Sequence, residues 1–209
     1  MKIALIGSNG KAGHAIVKEA LLRGVDITGF SRGDNKHPGI KYVKTDLFNL
    51  TTEVLSEFDV VINAFGTWTP ETLHLHKVSS EYLSSILSGT NTRLIVVGGA
   101  GSLYIDDTLT TQLKDTPDFP ADYKPLADAM GEALDLIRTQ DDVLWTYISP
   151  AAIFDANGKR LGSYETAGEI ITFNKEGKSY ISYADFAIAV LDEALNPAHN
   201  QERISVYSA

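Results

Sequence analysis

The sequence predicts a doubly wound α/β domain, a parallel sheet with helices on both faces and a small C-terminal lobe. Three observations carry this. Apolar runs alternate with segments of helical period up to about residue 150. The runs lack polar alternation, the mark of strands buried on both faces. A glycine-rich turn joins the first run to the first helical segment.

Residues 2–6 read as the first strand and 12–23 as a helix, with Ile16, Ala20 and Leu21 at helical spacing and Gly24 as its C-terminal cap. Strands are expected at 25–30, 40–44, 60–63, 93–98 and 143–148. A helix over 70–87 places Val78, Tyr82, Leu83, Ile86 and Leu87 on one face. Another over 125–138 does the same with Leu126, Met130, Ala133, Leu134 and Ile137. Parallel strands joined through helices require right-handed crossovers. After Pro150 the rhythm changes. Segments 169–174 and 179–183, separated by Lys-Glu-Gly-Lys, predict a hairpin. Ser182 and Asp185 open a helix in the manner of a capping box; it runs to about residue 195 and stops before Pro197. Residues 203–207 read as a last strand. No linker, repeat or low-complexity tract intervenes, so 1–209 is expected to be one domain, with 150–209 a small substrate-side lobe on it.

Composition removes several function classes. With 27 acidic against 18 basic residues, the net charge of -9 works against sequence-independent nucleic-acid binding. An anionic ligand stays open, because backbone amides bind phosphate without side-chain charge. No apolar run approaches about 18 residues, so no membrane span is expected. The N-terminal run breaks at Gly7, too early for a signal peptide. The absence of cysteine excludes disulfides, thiolate metal sites and cysteine nucleophiles, and a cytoplasmic address is expected. His74 and His76 lie two apart on a helix and so point to different faces, which leaves no metal site. His14, His37 and His199 are scattered and carry no motif.

Gly7-Ser8-Asn9-Gly10-Lys11-Ala12-Gly13 is a GxxGxxG run directly between the first strand and the first helix. That context carries the weight: Gly7 makes the tight turn, Gly10 lets backbone approach a pyrophosphate, and Gly13 lets helix pack on strand. The helix N-terminus then offers free amides to the anion. Cofactor choice is read where the second strand ends, Gly29-Phe30-Ser31-Arg32, which lacks the acid that bonds the ribose 2′-hydroxyl of NAD. Ser31 and Arg32 together suit a 2′-phosphate, so NADP(H) is preferred, while Asp34 keeps NAD(H) open. Asp46, beside Leu47, suits either the adenine amino group or a helix N-cap. The same stretch, 29–33, matches the GxSxG nucleophile elbow, but the breaker-rich residues after it cannot start the required helix.

These glycines, together with Val-Ile-Asn-Ala-Phe-Gly (61–66), Val-Val-Gly-Gly-Ala-Gly-Ser (96–102), Asp-Thr-Pro-Asp-Phe-Pro-Ala-Asp-Tyr-Lys-Pro (115–125) and Trp-Thr-Tyr-Ile-Ser-Pro-Ala-Ala (145–152), resemble an atypical short-chain dehydrogenase/reductase. The group they resemble is the small NmrA-like NADH-flavin reductases, relatives of biliverdin-IXβ/flavin reductase. The similarity spans nearly the whole chain and is most specific over 96–125. It implies a Rossmann-like NAD(P)-binding domain with Ala64, Phe65, Gly66, Gly98, Gly99 and Pro150 lining the nicotinamide end. Ser102 falls where such proteins carry an active-site serine, and Tyr123 and Lys124 lie near the same edge. Trp68 and Phe154 are candidates to face a flat acceptor such as a flavin. None of the nine tyrosines has lysine four residues on, so the Tyr-x-x-x-Lys proton donor of most short-chain dehydrogenases is absent. Counting from Glu132, Asp128 stands where that lysine would be. The reading is a reductase that passes hydride from nicotinamide to a stacked small-molecule acceptor, a flavin or quinone, by positioning alone. The alternative is a non-catalytic NmrA-like protein that senses NADP(H).

Overall fold

The computed structural model describes all 209 residues. Its elements are β1 (Ile3–Ile6), α1 (Lys11–Arg23), β2 (Ile27–Ser31), β3 (Lys41–Lys44), α2 (Thr52–Leu55), β4 (Val60–Asn63), α3 (Leu75–Leu87) and β5 (Arg93–Val97). There follow α4 (Lys124–Ile137), β6 (Trp145–Pro150), β7 (Ile153–Asp155), β8 (Glu165–Ala167), β9 (Tyr180–Ser182), α5 (Tyr183–Leu195) and β10 (Glu202–Tyr207). Eight strands form one sheet in the order β3-β2-β1-β4-β5-β6-β10-β8, all parallel except β8. The chain winds outward from β1 in one direction and from β4 in the other, so the switch point lies between them. In such sheets ligands bind outside the carboxyl ends of the strands at that crevice.

The strands form where continuous apolar runs can be covered on both faces. β1, β4 and β6 are buried along their whole length. On one face α1 and α5 enclose Ile3, Leu5, Ile62, Ile148 and Phe186. On the other, α3 and α4 enclose Ala4, Val61, Leu94, Leu134 and Tyr147. Each large aliphatic side chain so buried contributes about 1.5–3 kcal/mol. The edges are kept short: Lys41 and Lys44 are exposed on β3, and β8 has only 3 residues. Gly24 ends α1 at φ 67°, giving its N–H to Ala20 and Leu21 carbonyls. Ser182 caps α5 as expected, its hydroxyl accepting from Asp185 N at 3.0 Å.

Two expectations need correction. Residues 169–174 and 179–183 do not pair as a hairpin. β9 instead runs parallel to β7, and Ile170 makes an isolated bridge to Tyr104. The segment after Pro70 begins with a single 3-10 turn at Pro70–Thr72, and α3 proper starts at Leu75. Of residues 150–209, α5 and β10 belong to the central layers, which leaves β7, β9 and their loops outside the main sheet.

Candidate functional site

The glycine loop leaves β1 at the switch point. Gly7 adopts φ 76°, and a Cβ there would come within 2.6 Å of Ala64 O, the first residue beyond β4. Gly13 presses α1 onto the loop; an added Cβ would stand 2.8 Å from Ser8 Cα and overlap Gly7 O. No side chain caps α1 and no acid occupies its first turn. The amides of Lys11, Ala12 and Gly13 therefore have no intrahelical acceptor and no substitute for one. Together with the helix dipole they fit a pyrophosphate, so these residues suit a nicotinamide dinucleotide.

A web of hydrogen bonds fixes this loop. Ser31 Oγ accepts from Asn9 N at 3.2 Å and shares a bond with Ser8 Oγ at 3.2 Å. Asn9 Nδ2 donates to Asp34 O at 2.9 Å and to Tyr42 Oη at 3.1 Å, and the Tyr42 hydroxyl in turn bonds the Gly33 carbonyl. His37, which no motif singles out, is buried with Nε2 2.8 Å from Ser8 O and its ring 5.0 Å from that of His14. Burial pushes the His37 pKa down, which disfavours the charged ring beside the loop.

The same web takes in the end of β2. Ser31 is engaged as a brace, whereas the Arg32 side chain is 78% exposed, with Nε 4.0 Å from Asp46 Oδ2. Asp34 is tied to Lys44 at 2.8 Å, and that bond lowers its pKa. Asp46 caps the turn at Leu47, its carboxylate accepting from Phe48 N at 3.0 Å, while Leu47 is buried.

At the other end Asn63 Oδ1 accepts from Phe65 N at 3.0 Å and so shapes the Ala64–Phe65–Gly66 turn. His76 lies beneath it, edge-on to Phe65 at 5.8 Å, with Nε2 3.0 Å from Thr67 O. A cavity of about 10 Å³ separates these residues from Met130 and Tyr147, enough for one water. Gly98 has no side chain because the Tyr147 ring fills the space an added Cβ would take. Tyr147 is fully buried, which pushes its pKa up to about 12, and its hydroxyl donates to Met130 O at 3.3 Å. That bond turns the hydroxyl inward, away from solvent. A Cβ at Gly99 would meet Met130 Sδ at 3.0 Å, and Pro150 closes β6 as a buried residue.

Around the acceptor edge the candidates separate. Ser102 is buried and its Oγ accepts from Arg203 Nη1 at 3.3 Å. Tyr123 and Trp68 are exposed. Phe154 is stacked on Tyr183 at 3.7 Å and packs against Phe186, so its ring anchors β7 to α5. Lys124 is held by Asp115 at 2.8 Å. Asp128 pairs with Lys114 at 2.7 Å. Lys114, Arg203, Tyr42 and His37 are the residues that sequence reasoning passed over. Their partners lie from 9 to 101 residues away in the chain, and no local pattern marks them.

Comparison with known proteins agrees with this geometry. A family profile described as NAD(P)H-binding matches residues 7–196. The uncharacterized protein YwnB of Bacillus subtilis is 48% identical over 211 residues, covering 100% of this chain and 99% of YwnB. A crystal structure of a Streptococcus pneumoniae protein provisionally named an NADH-flavin reductase superposes with a TM-score of 0.97 at 52% identity, covering 100% of both chains. A Bacteroides thetaiotaomicron protein provisionally named an epimerase gives a TM-score of 0.85 at 33% identity, over 99% of this chain and 96% of that one.

Proposed function

The chain belongs to the NAD(P)H-binding family, and from that premise we propose that it is an NAD(P)H-dependent reductase passing hydride to a stacked flavin or quinone. The observation that carries the reading is the uncapped N-terminus of α1 between Gly7 and Gly13, set at the β1/β4 switch point. Lys11, Ala12 and Gly13 amides would hold the pyrophosphate, with Ser8 and Asn9 keeping the loop in shape. Arg32 would meet a 2′-phosphate by a charge-assisted bond, which would favour NADP(H). Asp46 and Leu47 would border the adenine. Ala64, Phe65, Gly66, Gly98, Gly99 and Pro150 would line the nicotinamide end.

Bound there, the cofactor supplies the hydride. The chain's part is to orient the two rings and to keep its own acids and bases out of the way. Near neutral pH Tyr147 stays protonated in its buried bond to Met130, and Asp128 is occupied by Lys114. No Tyr-x-x-x-Lys pair exists to interconvert alcohols and ketones or to drive an epimerase cycle. Water completes the reduction. Titrating NADPH and NADH against wild type and Arg32→Ala tests the cofactor assignment. Affinity for NADPH is expected to fall about tenfold or more, as for loss of one charge-assisted bond, with NADH nearly unchanged. Equal losses for both would remove Arg32 from the 2′-site.

A further inference from the structure

The segment 32–39, between β2 and β3, is exposed at every residue except His37, which keeps only 5% of its surface. Burying a polar ring is favourable only where its hydrogen bonds are made. The one made here is to the glycine loop. His37 Nε2 lies 2.8 Å from Ser8 O, with the His14 ring of α1 at 5.0 Å. A carbonyl can only accept, so Nε2 carries the hydrogen and donates it. His37 is itself fixed by an Asx turn, its N–H donating to Asn35 Oδ1 at 2.8 Å. Its carbonyl accepts from Ile40 N at 3.5 Å.

The same peptide unit is held from its other side. Asn9 N donates to Ser31 Oγ at 3.2 Å, so the Ser8–Asn9 peptide has both its carbonyl and its N–H engaged. Glycines flank it. Gly7 stands at φ 76°, and Gly10 gives its N–H to Gly7 O at 2.9 Å. Backbone beside glycine turns easily, and the two bonds remove that freedom before any ligand arrives. The free amides of α1 follow at once, at Lys11, Ala12 and Gly13. A cradle ordered in advance binds more tightly, because the ligand does not have to order it. Without the brace only a fraction of molecules would hold the loop ready, and apparent affinity would fall by that fraction.

Resting on the dinucleotide reading of this loop, we infer that His37 is a positioning residue for the cofactor pyrophosphate, acting through its bond to the Ser8 carbonyl. It works on the loop backbone rather than by contact with the ligand. Its effect therefore falls on the part that NADPH, NADH and ADP-ribose share. Arg32, on the same segment, acts on the 2′-end alone. By linkage, a ligand that prefers the braced loop strengthens the His37 bond by the same factor.

The test compares wild type with His37→Phe, which keeps a flat buried ring but has no donor, and with His37→Gln, which returns an N–H. NADPH, NADH and ADP-ribose are titrated well below the melting temperature of each protein. His37→Phe is expected to weaken all three alike, by about tenfold for one lost hydrogen bond. His37→Gln should recover most of that loss, which a purely packing role would not allow. Unchanged affinities in His37→Phe, a loss confined to NADPH, or a His37→Gln as weak as His37→Phe overturns the assignment and leaves the cofactor reading standing. Should His37→Phe fail to fold, nitrogen-15 NMR of the wild-type ring decides. Solvent exchange of the His37 Nε2 hydrogen should slow by about tenfold when ADP-ribose saturates the protein. Exchange that ADP-ribose leaves unchanged overturns the assignment. A wild type that binds none of the three ligands overturns the cofactor reading and the inference together.

Discussion

Replacing Gly10 with Asp puts a carboxylate at the N-cap of α1, where the fold and the proposed ligand respond in opposite directions. Gly10 has extended backbone, φ -76° and ψ 173°, and makes no side-chain cap. Its added Cβ would meet only Gly7 O, at 3.2 Å. Asp is a favoured N-cap, better than Gly by a few tenths of a kcal/mol. Its charge beside the helix N-terminus adds about 0.3–1 kcal/mol. In a domain of this size the sum raises Tm by about 1–4 °C. Binding goes the other way. The carboxylate competes for the amides that would hold the pyrophosphate and repels it. At about 4 Å and an effective dielectric of about 20 one charge pair costs about 4 kcal/mol, less with solvent screening. A loss of about 1.5–4 kcal/mol corresponds to roughly tenfold to thousandfold in Kd. Thermal melts without ligand and NADPH titration by fluorescence measure the two effects on one sample. Undiminished affinity in Gly10→Asp would refute the placement of the pyrophosphate. A Tm that falls in step with affinity would refute the claim that the fold tolerates the substitution.

Further outcomes follow from other contacts. Gly98→Ala drives a methyl into the buried Tyr147 ring and should lower stability by about 1–3 kcal/mol, read by urea unfolding; Gly98→Ala with Tyr147→Leu should recover much of it. Glu19 has a lowered pKa because of its bond to Arg160, and in Glu193 the bonds from His199 and Arg93 outweigh burial. With folded values below the unfolded value of about 4.3, their stabilisation is complete above that pH and is lost as pH falls through the folded values. Glu19→Gln should therefore flatten the acid side of a stability-versus-pH curve. Tyr123→Phe and Lys124→Ala should slow single-turnover hydride transfer less than about tenfold. A loss of about 10²–10⁴-fold would reveal a protein general acid.

The parts of the fold legible in the sequence are those fixed by local chemistry. The parallel strands, the cap at Ser182 and the stop at Gly24 all follow from neighbours within a few residues. The failed hairpin shows the boundary. Its turn is real: Asn174 Oδ1 accepts from Glu176 N and Lys178 N, and Gly177 sits at φ 73°. What the turn chemistry does not contain is the partner of each arm. β9 finds β7 because the chain returns over the sheet, and Ile170 finds Tyr104 across the domain. The site divides the same way. The glycine loop is one contiguous run, whereas the bond from Asn9 N to Ser31 Oγ joins residues 22 apart and no local pattern marks it. Ser102 meets Arg203 from 101 residues away, and no spacing rule connects them.

The central claim is hydride transfer, and single-turnover mixing of the NADPH-loaded protein with FMN or menadione tests it most directly. The account predicts loss of reduced-nicotinamide absorbance at the same rate as the acceptor is reduced, with wide tolerance among flat carbonyl-bearing acceptors. NADPH that binds to the glycine loop yet is oxidised by no flavin or quinone would contradict it and make the protein a binding module.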